Sequence, residues 1–184
     1  VKSNLSYYNY NMGVLHIFDF DDTLVNSKSK VRISHADGSS SELQSSEYAT
    51  YDEKPGDVMD FSDFDSYPQE AEIIEDVFSE LSAAIEKDGI ESVVILTARA
   101  EADPVRDFME HSGISSISVH AVGSSDPKDK AKYVLERLKE KSVSLIRVFE
   151  DNARNLREIR KVVRKNGEVK LQTYRVVDGE ILTR

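Results

Sequence analysis

The stretch from Val14 to Phe18 restricts the possible folds more than any other part of the chain. It is a mostly apolar run of aliphatic and aromatic residues, which is typical of a strand buried on both faces in the centre of a parallel sheet. Three aspartates follow at once, Asp19, Asp21 and Asp22. Ligands of open α/β sheets bind beyond the carboxyl ends of the strands. Such close carboxylates repel one another unless a cation lies among them, so the pattern favours a ligand site over a solvated acidic turn.

Composition limits the remaining possibilities. The 184 residues, 39% of them hydrophobic, predict a single domain with room for a modest insertion. The chain contains no cysteine, which excludes disulfides, thiolate catalysis and cysteine-ligated zinc. A formal net charge of −10 disfavours binding of long nucleic acid, which needs a basic surface. It leaves open the recognition of a single phosphorylated end.

Strand-like and helix-like segments alternate along most of the chain. This alternation predicts a doubly wound parallel sheet of about five strands, with helices on both faces. The further predicted strands cover residues 92–96, 117–121, 144–149 and 169–177. The predicted helices begin at Pro68, Asp103 and Pro127, and a last one runs through Val163 to the Asn166-Gly167 stop signal.

Residues 26–67 differ from their surroundings because they are rich in serine and acidic residues. The alternating segment Val31–His35 predicts an exposed strand paired across the Asp37-Gly38 turn. Two interpretations remain open for this insertion: a loosely ordered surface segment, or a small cap that covers the carboxylates. Its few aliphatic residues predict that it has no core of its own and lies on the main domain, partly mobile.

The segment Asp19-Phe-Asp-Asp-Thr-Leu24 resembles the first motif of the haloacid dehalogenase (HAD) superfamily of aspartyl phosphotransferases, D-x-D-x-T/V-L/V after four hydrophobic residues. The resemblance implies a HAD-like, Rossmannoid sheet with strand order 5-4-1-2-3 and a cap inserted after the first strand. It also implies a Mg²⁺-dependent phosphomonoester hydrolase that forms an aspartyl-phosphate intermediate. The segments Ile95–Arg99 and Phe149–Asn152 are similar to small phage-encoded phosphatases related to the 3′-phosphatase module of polynucleotide kinases.

The resemblance assigns roles to individual acidic residues. Asp19 takes the place of the nucleophile, and Asp21 that of the acid that protonates the leaving oxygen and later deprotonates water. The Asp19 carboxylate, the Asp21 carbonyl and the Asp151 carboxylate would hold Mg²⁺. Glu150 would assist them. Asn155 stands where many members of the superfamily carry a further acid.

The remaining motifs concern the phosphoryl group. Thr97 matches the second motif, a hydroxyl at the end of the second strand, and would bind phosphate. Lys130 is preferred as the third-motif lysine, with Lys128 as the alternative. Arg99 either binds substrate or closes a surface ion pair. The four histidines, at positions 16, 35, 111 and 120, match no ligand spacing and are interpreted as structural.

The substrate is expected to be either a nucleic-acid 3′-phosphate end or a small phosphorylated metabolite. A catalytically silent HAD-fold binding or regulatory protein is the alternative function. No apolar run is long enough to span a bilayer, and residues 1–11 are polar and aromatic, unlike a signal peptide. A cytoplasmic location is therefore expected, in the host cell if the protein is phage-encoded.

Overall fold

A computed structural model describes residues 13–140 and 142–183. The polar and aromatic stretch at residues 1–11 lies outside the described residues. The strands are β1 (Gly13–Phe18), β2 (Val25–Asn26), β3 (Lys30–Ser34), β4 (Ser40–Gln44), β5 (Val58–Asp60), β6 (Glu72–Ile73), β7 (Val93–Thr97), β8 (Ser118–Ala121), β9 (Val143–Glu150), β10 (Lys170–Val177) and β11 (Glu180–Thr183). The α-helices are α1 (Ser45–Tyr48), α2 (Glu75–Asp88), α3 (Asp103–His111), α4 (Pro127–Arg137) and α5 (Ala153–Asn166), and short 3₁₀ helices cover Ser62–Asp65 and Ile90–Ser92.

A mostly parallel six-stranded sheet forms the centre of the described fold, in the order β11-β10-β9-β1-β7-β8. β1 lies between β7 and β9 and pairs with both in parallel. The predicted mixed α/β fold with a largely parallel sheet is therefore confirmed. The sixth strand, β11, was not predicted. It is a four-residue strand that pairs antiparallel with β10 after the Asp178-Gly179 turn.

Helices cover both faces of this sheet. Alternate residues of the central strands point to opposite sides, so that Phe18 and Ile95 contribute to one core cluster and Ile17 and Val94 to the other. The first cluster includes Val77 and Leu81 of α2 with Val105 and Phe108 of α3. The second includes Ala131 and Val134 of α4 with Leu156 and Ile159 of α5. Two apolar cores thus pack on the two faces of β1 and β9, which pair side by side.

Helix α4 begins where the sequence predicts, and helix α2 does not. The Asp126 side chain accepts a hydrogen bond from the Lys128 amide at 2.9 Å and caps α4. The predicted helix from Pro68 is wrong at its start, because α2 begins at Glu75. Glu70 has a left-handed φ of 55°, and Glu72–Ile73 pairs antiparallel with β2. Neither conformation can continue an α-helix.

The insertion is an ordered small subdomain with a sheet of its own, in the order β4-β3-β5. The predicted hairpin is confirmed, because β3 and β4 pair antiparallel and Val31 lies opposite Leu43. The expectation that this strand is exposed is wrong, because Val31 and Ile33 are buried. The expectation that the insertion lacks a core is wrong, since Val31, Ile33 and Phe64 are buried together. Aromatic side chains supply the apolar surface that aliphatic residues do not. The partly buried residues that pack around the three are Leu43, Tyr48, Tyr51 and Met59.

Candidate active site

The carboxyl ends of β1 and β9 bring three acidic side chains together. Asp19 directly follows β1, and its amide donates to the Phe149 carbonyl of β9 at 3.0 Å. Glu150 is the last residue of β9, and Asp151 follows it. One carboxylate oxygen from each of Asp19, Glu150 and Asp151 lies within 4.8 Å of the others. The predicted convergence of Asp19 and Asp151 is therefore present in the structure.

Lys130 is the cation of this acidic cluster. Its Nζ atom donates to Asp19 Oδ1 at 2.5 Å and to Glu150 Oε2 at 2.8 Å. The side chain is only 3% exposed, although it belongs to the first turns of α4. Lys128, two residues earlier, is exposed on the surface of the same helix. Of the two candidate lysines, Lys130 alone is therefore in contact with the predicted nucleophile.

The cluster carries more negative charge than Lys130 balances. Burial, reinforced by the nearby Glu150 carboxylate, raises the pKa of Asp19 to about 7. Desolvation, together with Glu150 and Asp19, also raises the pKa of Asp151 well above its usual value. Burial alone would lower the pKa of Lys130, but the two carboxylates outweigh it and raise that pKa. Carboxylates that resist ionisation side by side form a setting that a cation stabilises.

These residues fit a hard divalent cation. Three ionised carboxylates and one ammonium group would leave two uncompensated negative charges in a mostly buried site. Mg²⁺ prefers oxygen ligands from one or two carboxylates together with water and substrate phosphate. The Asp19 and Asp151 carboxylates would hold such an ion, with Glu150 within reach. The participation of the Asp21 main-chain carbonyl stays a prediction, and the Asp21 carboxylate has a partner outside the cluster.

That partner is Arg99. The guanidinium contacts both carboxylate oxygens of Asp21, from Nη2 to Oδ1 at 2.8 Å and from Nε to Oδ2 at 2.9 Å. It also donates from Nη1 to the main-chain carbonyls of Phe64 at 2.9 Å and Ser66 at 3.1 Å. Arg99 is buried, so the interpretation as a surface ion pair is wrong. The side chain instead connects Asp21 to the insertion.

Thr23 is a site residue that sequence reasoning left without a role. Its hydroxyl lies 3.3 Å from Asp19 Oδ2 and 3.4 Å from Asp151 Oδ1, and it accepts the Asp151 amide at 3.1 Å. A hydroxyl has one proton, so it can donate to only one of these carboxylates at a time. Thr23 therefore ties the two strand ends together. Its place in the D-x-D-x-T motif was the signal available in the sequence.

Thr97 and Asn155 lie outside the cluster of three carboxylates. Thr97 is the last residue of β7 and is buried, and its hydroxyl oxygen accepts the Arg99 amide at 3.2 Å. It is not one of the residues that line the pocket described below, so a direct contact with phosphate stays a prediction. Asn155 is buried on the first turn of α5 and does line that pocket.

A pocket of about 510 Å³ lies between the acidic cluster and the insertion. One side is formed by Asp19, Asp21, Glu150 and Asp151 at the ends of β1 and β9, together with Lys130 of α4. The insertion contributes the opposite wall, which includes Tyr48, Phe61 and Phe64. Of the two interpretations of residues 26–67, the structure therefore favours a cap over the carboxylates. The size is typical of a small-molecule site.

The histidines lie outside the pocket lining. His16 is buried in β1 and lies 2.8 Å from Asp88 Oδ2, and burial lowers its pKa. His35 contacts Asp57 and Ser41 within the insertion. His120 packs against the Tyr133 ring with a centroid separation of 4.4 Å. These contacts agree with their interpretation as structural residues.

Comparison with protein-family models, curated proteins and solved structures found no match to this chain. Within residues 13–140 and 142–183, every helix is too short or too polar to cross a membrane.

Proposed function

We propose that the chain is a Mg²⁺-dependent phosphomonoester hydrolase of the HAD type that acts through a phosphorylated Asp19. The observation that carries the proposal is the contact of Asp19 with Lys130 inside a cluster of three carboxylates at the end of two parallel strands. A carboxylate nucleophile in such a setting needs a cation to approach a phosphate dianion. Mg²⁺ would supply charge neutralisation of the phosphoryl oxygens at this position.

The first half of the reaction forms the acyl phosphate. A lone pair of an Asp19 carboxylate oxygen forms a bond to phosphorus, and the bond from phosphorus to the ester oxygen breaks. The leaving oxygen keeps the bonding pair and takes a proton from the Asp21 carboxyl group. The alcohol departs, and phosphate remains on Asp19.

The second half returns the protein to its starting state. Water gives a proton to Asp21 and forms a bond to phosphorus, and the acyl-phosphate bond breaks to release inorganic phosphate and Asp19. Asp21 thus ends with the proton that it lost. Arg99 holds Asp21 through both oxygens, and each oxygen keeps a second lone pair for this transfer. Arg99 is therefore a positioning residue.

Two further features support the HAD assignment. The five parallel strands lie in the order β10-β9-β1-β7-β8, which is the order 5-4-1-2-3 that the resemblance implies when only parallel strands are numbered. The insertion begins directly after the first strand and faces the acidic cluster, where the resemblance implies a cap. The substrate in this proposal is a phosphorylated small molecule or a single nucleic-acid 3′ end.

Hydrolysis of p-nitrophenyl phosphate with Mg²⁺ and with a chelator tests the proposal. Asp19→Asn should abolish turnover, and acid-quenched wild-type protein should carry phosphate on Asp19. Asp22→Asn is the matched control, because Asp22 lies at the same strand end but accepts the Ser46 amide of the insertion. Its φ of 58° suits asparagine. Mg²⁺ binding without hydrolysis of any ester would favour the catalytically silent alternative.

A further inference from the structure

The wall of the pocket that the insertion forms contains a partly exposed aromatic side chain. Phe61 is 38% exposed and lines the pocket. Among the described residues, the buried core of the insertion consists of Val31, Ile33 and Phe64, and Phe61 is not one of the residues packed around them. Leaving a phenyl ring partly in water forfeits hydrophobic stabilisation. A ring that faces a pocket in this way is suited to contact a ligand.

Tyr48 completes the aromatic wall. Its ring meets Phe61 edge to face, with centroids 5.2 Å apart and planes at 79°. The Tyr48 hydroxyl donates to Glu53 Oε1 at 2.8 Å, which fixes the ring. Burial and Glu53 raise the pKa of Tyr48 to about 12, so it stays a neutral donor. Two rings at nearly a right angle form a corner that can contact a third flat ring by its face and its edge.

Phe64 is buried, and its ring already contacts Arg99. The Arg99 guanidinium lies 5.4 Å from the Phe64 ring centroid, and its Nη1 atom donates to the Phe64 main-chain carbonyl. The aromatic surface that remains for a ligand is therefore that of Phe61, together with the part of Tyr48 that lines the pocket.

The charges of the pocket lining outside the acidic cluster do not suit a second phosphate. Glu53 and Asp65 are exposed carboxylates that line the pocket, and Arg154, in the first turn of α5, is an exposed cation that also lines it. Within the described part of the chain, Asp65 and Arg154 form no ion pair. Two carboxylates and one guanidinium give the pocket lining outside the acidic cluster a net negative charge. A substrate with additional phosphates on its leaving group would meet repulsion there.

We propose that the pocket selects a phosphomonoester whose leaving group carries one flat aromatic ring and no second phosphate, such as an aryl phosphate or a nucleoside monophosphate, over the phosphorylated end of a polynucleotide. This inference rests on the proposed function and narrows its substrate class. The ring contacts Phe61 and Tyr48, while the phosphate reaches Asp19 and Lys130.

The aromatic part is tested by the ratio of kcat/KM for phenyl phosphate to that for glycerol phosphate. Phe61→Ala should lower this ratio by about three- to tenfold, the usual value of one aromatic contact. Val58→Ala is the matched control, since Val58 is a 66% exposed apolar residue of the insertion that does not line the pocket. An equal ratio in wild type and Phe61→Ala would overturn the assignment of the ring site.

The charge part is tested by a second ratio, that of kcat/KM for a nucleoside 3′,5′-bisphosphate to kcat/KM for the nucleoside 3′-monophosphate. Wild type should prefer the monophosphate, and Glu53→Gln should raise the ratio several-fold at low salt. The rise should shrink at high salt because exposed charges are screened. Asp52→Asn, an exposed neighbour that does not line the pocket, should leave the ratio unchanged. Preference for a dinucleotide 3′-phosphate over the monophosphate would overturn the inference in favour of a nucleic-acid end.

Calorimetric titration separates this inference from the proposed function. Asp19→Asn protein with Mg²⁺ should bind phenyl phosphate more tightly than glycerol phosphate, and this difference should fall in Asp19→Asn/Phe61→Ala. Binding with this preference but no turnover by the wild type would support the pocket and refute the hydrolase. Turnover or binding with no preference for the ring would refute the pocket alone.

Discussion

Lys130→Met gives the sharpest test of the acidic cluster, because it removes the cation that contacts both Asp19 and Glu150. Methionine keeps most of the side-chain volume, so a cavity contributes little. The two carboxylates are buried, and removing one partner of a buried ion pair typically costs about 3–5 kcal/mol. That is a large part of the roughly 5–15 kcal/mol that stabilises a domain.

The loss of stability in Lys130→Met should depend on pH in a defined direction. The pKa of Asp19 in the folded protein, about 7, lies above its ordinary value of 3.8, and removal of Lys130 raises it further. Between the unfolded and folded values the folded state binds more protons, so stability falls as pH rises. The stability deficit of Lys130→Met should therefore be larger at pH 8 than at pH 5, where Asp19 can take a proton.

The assay is urea unfolding of wild type, Lys130→Met and Lys128→Met at both pH values, with a chelator present. Lys128 is exposed on the same helix, so its variant should stay within about 0.5 kcal/mol of wild type. Turnover of p-nitrophenyl phosphate should fall about 10²- to 10³-fold in Lys130→Met, as for loss of one charge-stabilising donor, and little in Lys128→Met. Equal behaviour of the two variants would refute the placement of Lys130 in the cluster.

Three further outcomes are expected. In the wild type with a chelator, stability should fall as pH rises from 4 to 7, because the pKa of Asp19 is raised to about 7. Added Mg²⁺ should raise Tm more at pH 8 than at pH 5, since the ion binds the ionised carboxylates. Asp151→Asn should weaken Mg²⁺ binding in a calorimetric titration while the far-ultraviolet circular dichroism stays unchanged. Arg99→Lys should lower the free energy of unfolding by about 2 kcal/mol, because one ammonium group cannot replace a bidentate pair and two carbonyl contacts. Limited proteolysis should then cut the insertion of this variant faster. An unchanged digestion rate would argue against the role of Arg99 in holding the insertion.

Local patterns were sufficient for the strands and the alternation of the central sheet, whereas the meeting of Asp19 with Asp151 was expected from the strand order that the resemblance implies. Apolar runs bounded by turn residues identify strands, and parallel strands place their carboxyl ends at one edge. The cap of α4 was also readable, since Asp126 and Pro127 follow the preference of helix starts. The strands and the cap depend on residues close in the chain or on a regular repeat.

The interactions that were not predicted from the sequence join residues that are distant in the chain. Asp21 and Arg99 are 78 residues apart, and no periodicity connects them. The core of the insertion arises from a strand and a 3₁₀ helix that supply Ile33 and Phe64, which a count of aliphatic residues undervalues. The start of α2 was misplaced because pairing of Glu72–Ile73 with β2 overrides a favourable local helix pattern.

The pairing of β2 with β6 makes the insertion an exchangeable module. Val25 lies opposite Ile73 and Asn26 opposite Glu72, so the chain enters and leaves the insertion at neighbouring points that a short turn could join. One contiguous gene segment can therefore be replaced without moving Asp19 or Lys130. A grafted module would have to present two carbonyl oxygens to Arg99, because otherwise two of its buried donors would lose their acceptors.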